Sequence, residues 1–184
     1  MNDVLNDADS KMGKSVDATR EEFAAIRAGR ANPAMFAKIT ADYYGTQTPL
    51  QQLASFTSQD ARTILIQPFD IGAMGNIERA IRDSDLGVNP ANDGKVLRCV
   101  FPELTEERRK EFIKLARSKA EDGRVSVRNV RRTAKQSLEK MATDGEVGKD
   151  DVTGAEKRLD GITKTHTDKI DEMLKHKEAE LLEV

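Results

Sequence analysis

At 184 residues the chain can bury one substantial core, or a core with a smaller satellite domain. Hydrophobic residues make up 38%, charged residues 34% and aromatics 4%, with no Trp, which argues for extended helices and against a β-sandwich or an aromatic-lined pocket. Twelve Gly and five Pro are too few for a low-complexity chain, and a single cysteine, Cys99, excludes an internal disulfide or a cysteine-based metal cluster. The polar, acidic start is unlike a secretory signal, and no apolar run approaches the roughly 18 residues of a membrane span. A reduced, soluble, cytoplasmic protein is expected.

The first element in chain order is a helix. Leu5, Met12, Val16, Phe23 and Ile26 recur at steps that hold them on one face. Gly29 and Pro33 close it, since Gly permits positive φ and Pro disfavours helix in the residue before it. From about 31 to 102 the pattern changes to short β-like runs at 38–44, 55–57, 63–67 and 96–101. Turn signals separate them at Tyr44-Gly45-Thr46, Thr48-Pro49, Asn89-Pro90 and Asp93-Gly94. One helix fits at roughly 72–84, with Ile77 and Ile81 inward and Gly87 as terminator.

A long helix then follows Pro102, with Thr105 as N-cap and Glu106 and Glu107 at the positive end of its dipole. Small or apolar residues at 112, 116, 120, 123, 127, 130, 134, 138 and 141 step at about 3.6 residues, the α-helical period. Asp144-Gly145 breaks it. A last helix from about Asp151 carries Val152, Ala155, Leu159, Ile162, His166, Ile170, Met173 and Leu181 on one stripe. Three long amphipathic helices, none able to bury its stripe alone, predict an antiparallel three-helix bundle with a small β/α/β domain inserted in it, an α+β fold. The expected division is 1–30 plus 104–184 for the bundle and 31–103 for the insert. The two crossings, 29–33 and 101–105, both contain Pro and read as a semi-rigid hinge.

The formal net charge of −2 conceals a strong asymmetry. Residues 105–143 hold 12 Lys/Arg against 6 Asp/Glu, whereas residues 144–184 hold 7 against 12. On a helical wheel, Lys110, Arg117, Arg124, Arg128, Arg131 and Lys135 cluster within about 30° of one direction, roughly 100° from the apolar face. Arg132 lies a little further round. Such a stripe is either a solvated face paired with the acidic last helix or a dock for an anionic partner such as nucleic acid. No acidic residue lies between Arg124 and Lys135, so intrahelical pairing is not expected there, which favours the anionic partner. Arginine's planar five-donor fork suits phosphates and guanine edges.

Catalytic constellations are weak. His166 reads as a packed core histidine and His176 as a solvent-facing one, and neither has zinc-ligand spacing. Gly72-Ala73-Met74-Gly75 lacks the ending of a phosphate loop. Asp150-Asp151 reads as a helix cap, and Tyr43-Tyr44 as strand packing, or as a tip aromatic that stacks on a partner. An adaptor for an acidic protein and a small RNA-cleaving enzyme are the rival classes, the latter disfavoured because no base–nucleophile or metal constellation exists.

Several motifs carry a resemblance: Arg27-x-Gly29-Arg30-Ala31-x-Pro33, Tyr43-Tyr44-Gly45-Thr46-x-Thr48-Pro49-Leu50, DSDLGVNP at 83–90, LTEERRKE at 104–111, RVSVRNVRR at 124–132 and Lys177-Glu178-Ala179-Glu180. In this order and spacing, over essentially the whole length, the chain resembles bacterial ribosome recycling factor. The resemblance implies an L-shaped, tRNA-like outline and a non-enzymatic monomer that uses no cofactor. It further implies binding to the post-termination 70S ribosome, chiefly through large-subunit rRNA. With elongation factor G, which uses the GTP, such a factor splits the subunits and releases mRNA and tRNA. Its arginine motif, the expected rRNA contact, falls on Arg131 first, then Arg128, Arg132 and Arg124, and Arg27 and Arg30 belong to the motif at the first crossing; the helical wheel adds Lys110, Arg117 and Lys135 to the rRNA-binding set. Its hinge falls on Gly29, Arg30, Ala31, Pro33, Pro102, Leu104 and Thr105. The insert, with 43–49 and 84–90, would face the translocase.

Overall fold

The computed structural model describes residues 1–26 and 30–183. The chain forms two compact units, one of Met1–Phe23 with Lys114–Glu178 and one of Ala24–Ile113 with Ala179–Val184. Each is taken by itself.

Three helices build the first unit: α1 (Asn2–Ala25), α4 (Glu106–Thr143) and α5 (Lys149–Leu182). The α1 residues expected inside are buried, and Ala8 and Thr19 fill the steps between them. Contacts set the helix directions. Ser15 meets Ser126 (2.8 Å) and Glu22 meets Lys119 (3.3 Å), so α1 and α4 run antiparallel. Asn2 meets Arg158 (3.2 Å) and Asp9 meets His166 (2.6 Å), so α1 and α5 run parallel. The Asp144-Gly145 break works through Gly145, whose φ of +76° is the left-handed conformation that stops a helix. Thr105 caps α4, its hydroxyl accepting the Arg108 N–H at 3.2 Å. α5 starts slightly before the expected Asp151, with Asp150 and Asp151 in its first turn.

The three helices crowd together at Gly123. A Cβ built there would lie 2.2 Å from Thr19 Oγ1 and 3.2 Å from Ile170 Cδ1. The Thr19 hydroxyl is already committed, donating to the Ser15 carbonyl at 2.9 Å. Gly123→Ala should therefore force Thr19 from its rotamer and destabilise the bundle by about 1–3 kcal/mol. Thermal denaturation checks this, the midpoint falling roughly 2–4 °C per kcal/mol. Thr19→Ala in the same chain should recover part of the loss, since it removes the obstructing hydroxyl.

The second unit holds two antiparallel sheets. One is a hairpin of β1 (Thr40–Tyr43) and β2 (Thr46–Pro49). The other has four strands in the order β3-β4-β6-β5, comprising β3 (Ala54–Ser58), β4 (Thr63–Pro68), β5 (Ala91–Asn92) and β6 (Leu97–Val100). The short helix α2 (Leu50–Leu53) and the helix α3 (Met74–Arg82) complete it. Phe36, Leu50, Ile64, Ile66, Ile77, Ile81, Leu97, Cys99 and Phe101 form its core, with Phe36 against Phe56 (5.2 Å between centroids) and Phe101 (6.1 Å). Burial pushes the Cys99 thiol up to about 12.

Three local expectations need correction. Thr46 and Thr48-Pro49 read as parts of turn signals, yet they lie in β2, because Tyr44-Gly45 alone makes the reversal. β5 is too short and polar to show in a propensity pattern; pairing with Leu97 and Arg98 is what orders it. Gly87 does not end α3. The helix stops at Arg82, where the Ser84 hydroxyl donates to the Ile81 carbonyl at 2.6 Å, and Gly87 lies beyond at φ +65°.

Candidate nucleic-acid interface

The 3.6-residue repeat that buries Ala116, Ala120, Gly123, Val127, Ala134 and Leu138 holds the basic side chains at a constant angle to the core along α4. Arg124 is the most enclosed of them, its side chain 20% exposed against 55% for Arg128. Their stems lie along the bundle while the heads reach the surface.

The expected lack of neutralisation is overturned. Arg124 donates to Glu121 at 3.0 Å and to Asp171 at 2.8 Å, and Arg128 reaches back to Glu121 at 3.1 Å. Arg131 donates to Asp160 at 2.7 Å and Arg117 to Glu178 at 2.5 Å. Lys135 lies 3.8 Å from both Glu139 and Glu156. The acid-free stretch does not isolate these cations, because an arginine head extends more than a helical turn from its own Cα and α5 runs alongside. The paired solvated face is thus present in the structure. Arg132, by contrast, is exposed and has no ion-pair partner among the described residues.

The partners missed by sequence reasoning are Glu156, Asp160, Asp171 and Glu178. Their spacings of 4, 11 and 7 place them on one face of α5; the acidic excess of the last helix points to such pairing in the sequence, but not to these four residues. Two hydrogen bonds, from Arg124 first and Arg128 second, hold the Glu121 carboxyl below its ordinary range. The Glu178 hydrogen bond likewise raises Arg117. Pairs this exposed are weak and screened by salt, so they orient the guanidinium groups without committing them. A phosphate that offers two oxygens to the same fork can take a carboxylate's place.

Other predicted residues lie elsewhere. Lys110 belongs to the second unit and pairs with Glu106 at 2.8 Å. Arg30 is exposed and lines an open depression with Asn32, Arg62, Arg109 and Glu180, all of that unit. Arg27 and Gly29 lie outside the described residues. Ala31 is buried, its N–H donating to the Ala61 carbonyl at 2.9 Å, and Pro33 opens a 3-10 turn, Pro33–Phe36. Leu104 is half-buried, whereas Pro102 and Thr105 are exposed. His166 is buried against Asp9 as a core histidine, and His176 is exposed. Among the described residues no His/Cys/Asp/Glu group is placed to hold a metal, and no helix is long and apolar enough to cross a membrane.

A long antiparallel three-helix bundle, a small inserted β/α/β unit and an arginine-rich helix face define the class of protein. Comparison with known proteins gives the family. Residues 19–182 match the model of the ribosome recycling factor family. The chain is 77% identical to the ribosome-recycling factor of a Nocardioides species and 60% identical to that of Cutibacterium acnes, over the full length of both chains in each case. It is similar to a solution structure of the ribosome recycling factor, at TM-score 0.78 and 36% identity, covering 100% of this chain and 97% of that one. A second likeness has TM-score 0.68 and 41% identity, over 99% of this chain and 98% of the other. It comes from models of the T. thermophilus ribosome recycling factor and E. coli elongation factor G bound to the E. coli post-termination complex. The chain belongs to the ribosome recycling factor family.

Proposed function

We propose that this chain binds the post-termination ribosome and, together with elongation factor G and GTP, splits it into subunits, freeing mRNA and tRNA for another round of translation. The observation that carries this reading is likeness along the entire chain to named recycling factors, at up to 77% identity. The chain itself acts as a cytoplasmic monomer and catalyses nothing; the GTP is consumed by the elongation factor.

In this reading the arginine face of α4 lies against large-subunit rRNA. Arg124, Arg128, Arg131 and Arg132 form its centre, with Arg117 and Lys135 along the same helix and Lys110, Arg27 and Arg30 as further contacts. Arg132 is available at once, whereas its neighbours exchange carboxylate for phosphate on binding. Counterion release then drives association and makes it steeply salt-dependent. Gly29, Arg30, Ala31, Pro33, Pro102, Leu104 and Thr105 are the proposed hinge, through which force from the translocase on the inserted unit reaches the bundle.

The direct test is light scattering from post-termination ribosomes mixed with the purified chain, elongation factor G and GTP. Scattering should fall as subunits separate, and only when all three are present. A chain that binds ribosomes but leaves scattering unchanged under those conditions would refute the reading.

A further inference from the structure

The two halves of α5 differ in what they are made of. Residues 149–167 hold two glycines, Gly154 and Gly161, and four threonines, at 153, 163, 165 and 167, whereas residues 168–182 hold neither residue type. Each glycine in a helix interior costs about 1 kcal/mol against alanine, and each threonine roughly half of that. Neither glycine is needed for packing, since a Cβ at 154 or at 161 would meet no packing partner within 4 Å. All four threonine hydroxyls donate back to main-chain carbonyls: Thr153 to Lys149 at 3.1 Å, Thr163 to Leu159 at 2.8 Å, Thr165 to Gly161 at 3.0 Å and Thr167 to Thr163 at 3.2 Å. Such bonds compete with the helical ladder and bend a helix. The first half of α5 is therefore weak as a helix in its own right.

Tertiary contacts compensate only in part. Val152, Ala155 and Leu159 are buried on the apolar stripe, but Ile162 is half-buried. The next inward residue is His166, whose Nε2 meets Asp9 at 2.6 Å while its enclosed Nδ1 has no hydrogen-bond partner among the described residues. A buried polar atom left so costs about 1–3 kcal/mol. The remaining ties are surface contacts: Arg158 to Asn2 at 3.2 Å, Asp160 to Arg131 at 2.7 Å and Glu156 to Lys135 at 3.8 Å. Contacts this exposed are weak. Low propensity and a thin apolar stripe mark a segment that opens more readily than the whole fold. Yet this half carries the carboxylates that hold Arg131 and Lys135, whereas Asp171 and Glu178, the partners of Arg124 and Arg117, lie in the second half.

We infer that residues 149–167 form a yielding strap over the arginine face of α4. In the free chain the strap holds Asp160 and Glu156 on Arg131 and Lys135. When phosphate reaches those cations the strap gives way and draws the carboxylates aside, while the second half of α5 keeps its place. Asp160 is what requires the backbone to move. Its carboxyl is attached directly to Cβ, and a helix leaves it only two of the three χ1 wells, so side-chain rotation alone cannot carry the charge far from Arg131. The inference rests on the reading of the α4 face as the rRNA contact, and adds to it the part of the chain that moves.

Gly154→Ala together with Gly161→Ala stiffens the strap without crowding a neighbour. The thermal midpoint should rise by about 4 °C. Amide exchange over 149–167, faster than over 168–178 in the wild-type chain, should slow by about tenfold. Affinity for isolated large subunits should fall by about fivefold, because the strap now resists release. In a chain that also carries Glu156→Gln and Asp160→Asn no charge has to be drawn aside, and the same two alanines should change affinity by less than about twofold. Equal exchange in the two halves of wild-type α5, a midpoint that does not rise, or an affinity that the alanines leave unchanged would each overturn the proposal. So would an equal loss in both backgrounds, which would show the alanines obstructing the ribosome directly. Failure of the wild-type chain to bind large subunits would instead refute the proposed function.

Discussion

Glu at both Arg128 and Arg131 is expected to lower affinity for the isolated large subunit by about a hundredfold or more, and to flatten its salt dependence by about two units of slope. Both side chains are substantially exposed, at 55% and 38%, so the change should leave helix content intact. The loss combines two forfeited phosphate contacts with two new repulsions. Single truncations should then rank by existing partnership. Arg131 must give up Asp160 to meet a phosphate, whereas Arg132 gives up nothing among the described residues. Arg132→Ala should therefore cost more affinity than Arg131→Ala, although the family resemblance puts Arg131 first. Binding by sedimentation or filter retention at 50–300 mM salt (an order-of-magnitude range set by screening) measures both slope and ranking. Affinity unchanged by the double reversal would remove α4 from the interface.

The second large effect has the opposite sign. Asp160→Asn together with Asp171→Asn removes the α5 carboxylates that hold Arg131 and Arg124 at 2.7 and 2.8 Å. Arg131 loses its carboxylate partner, Arg124 keeps only Glu121, and the face gains positive potential. Large-subunit affinity at low salt should rise by about tenfold, with a steeper salt slope. The thermal midpoint should barely move, because exposed pairs contribute little to folding. Off-target RNA should be bound more tightly too. That result would identify the α5 carboxylates as a brake on non-specific binding, and a fall in affinity would show instead that they are needed to orient the arginines.

These outcomes bear on how far the chain can be read without its fold. Helix positions were legible because periodicity is local: Leu5, Met12, Val16 and Phe23 sit on one face whatever they pack against. The Thr105 cap and Gly145 stop were legible for the same reason, each acting within a turn of itself. The basic stripe was also visible, since its angle on α4 depends only on the helical repeat.

Its electrostatic state was not. Whether Asp160 or Asp171 neutralises an arginine depends on how α5 is rotated and registered against α4, a relation between residues 29 and 47 positions apart. Counting charge along one helix cannot supply that. The same holds for Gly123, one small residue in the repeat until Thr19 and Ile170 arrive from two other helices. It holds again for β5, ordered by pairing and not by propensity. By itself the sequence determined the helices, their apolar faces and the place of the arginines. Tertiary structure alone decided which charges are already answered and which side chains remain open to a partner, because both are set by distances between segments far apart in the chain.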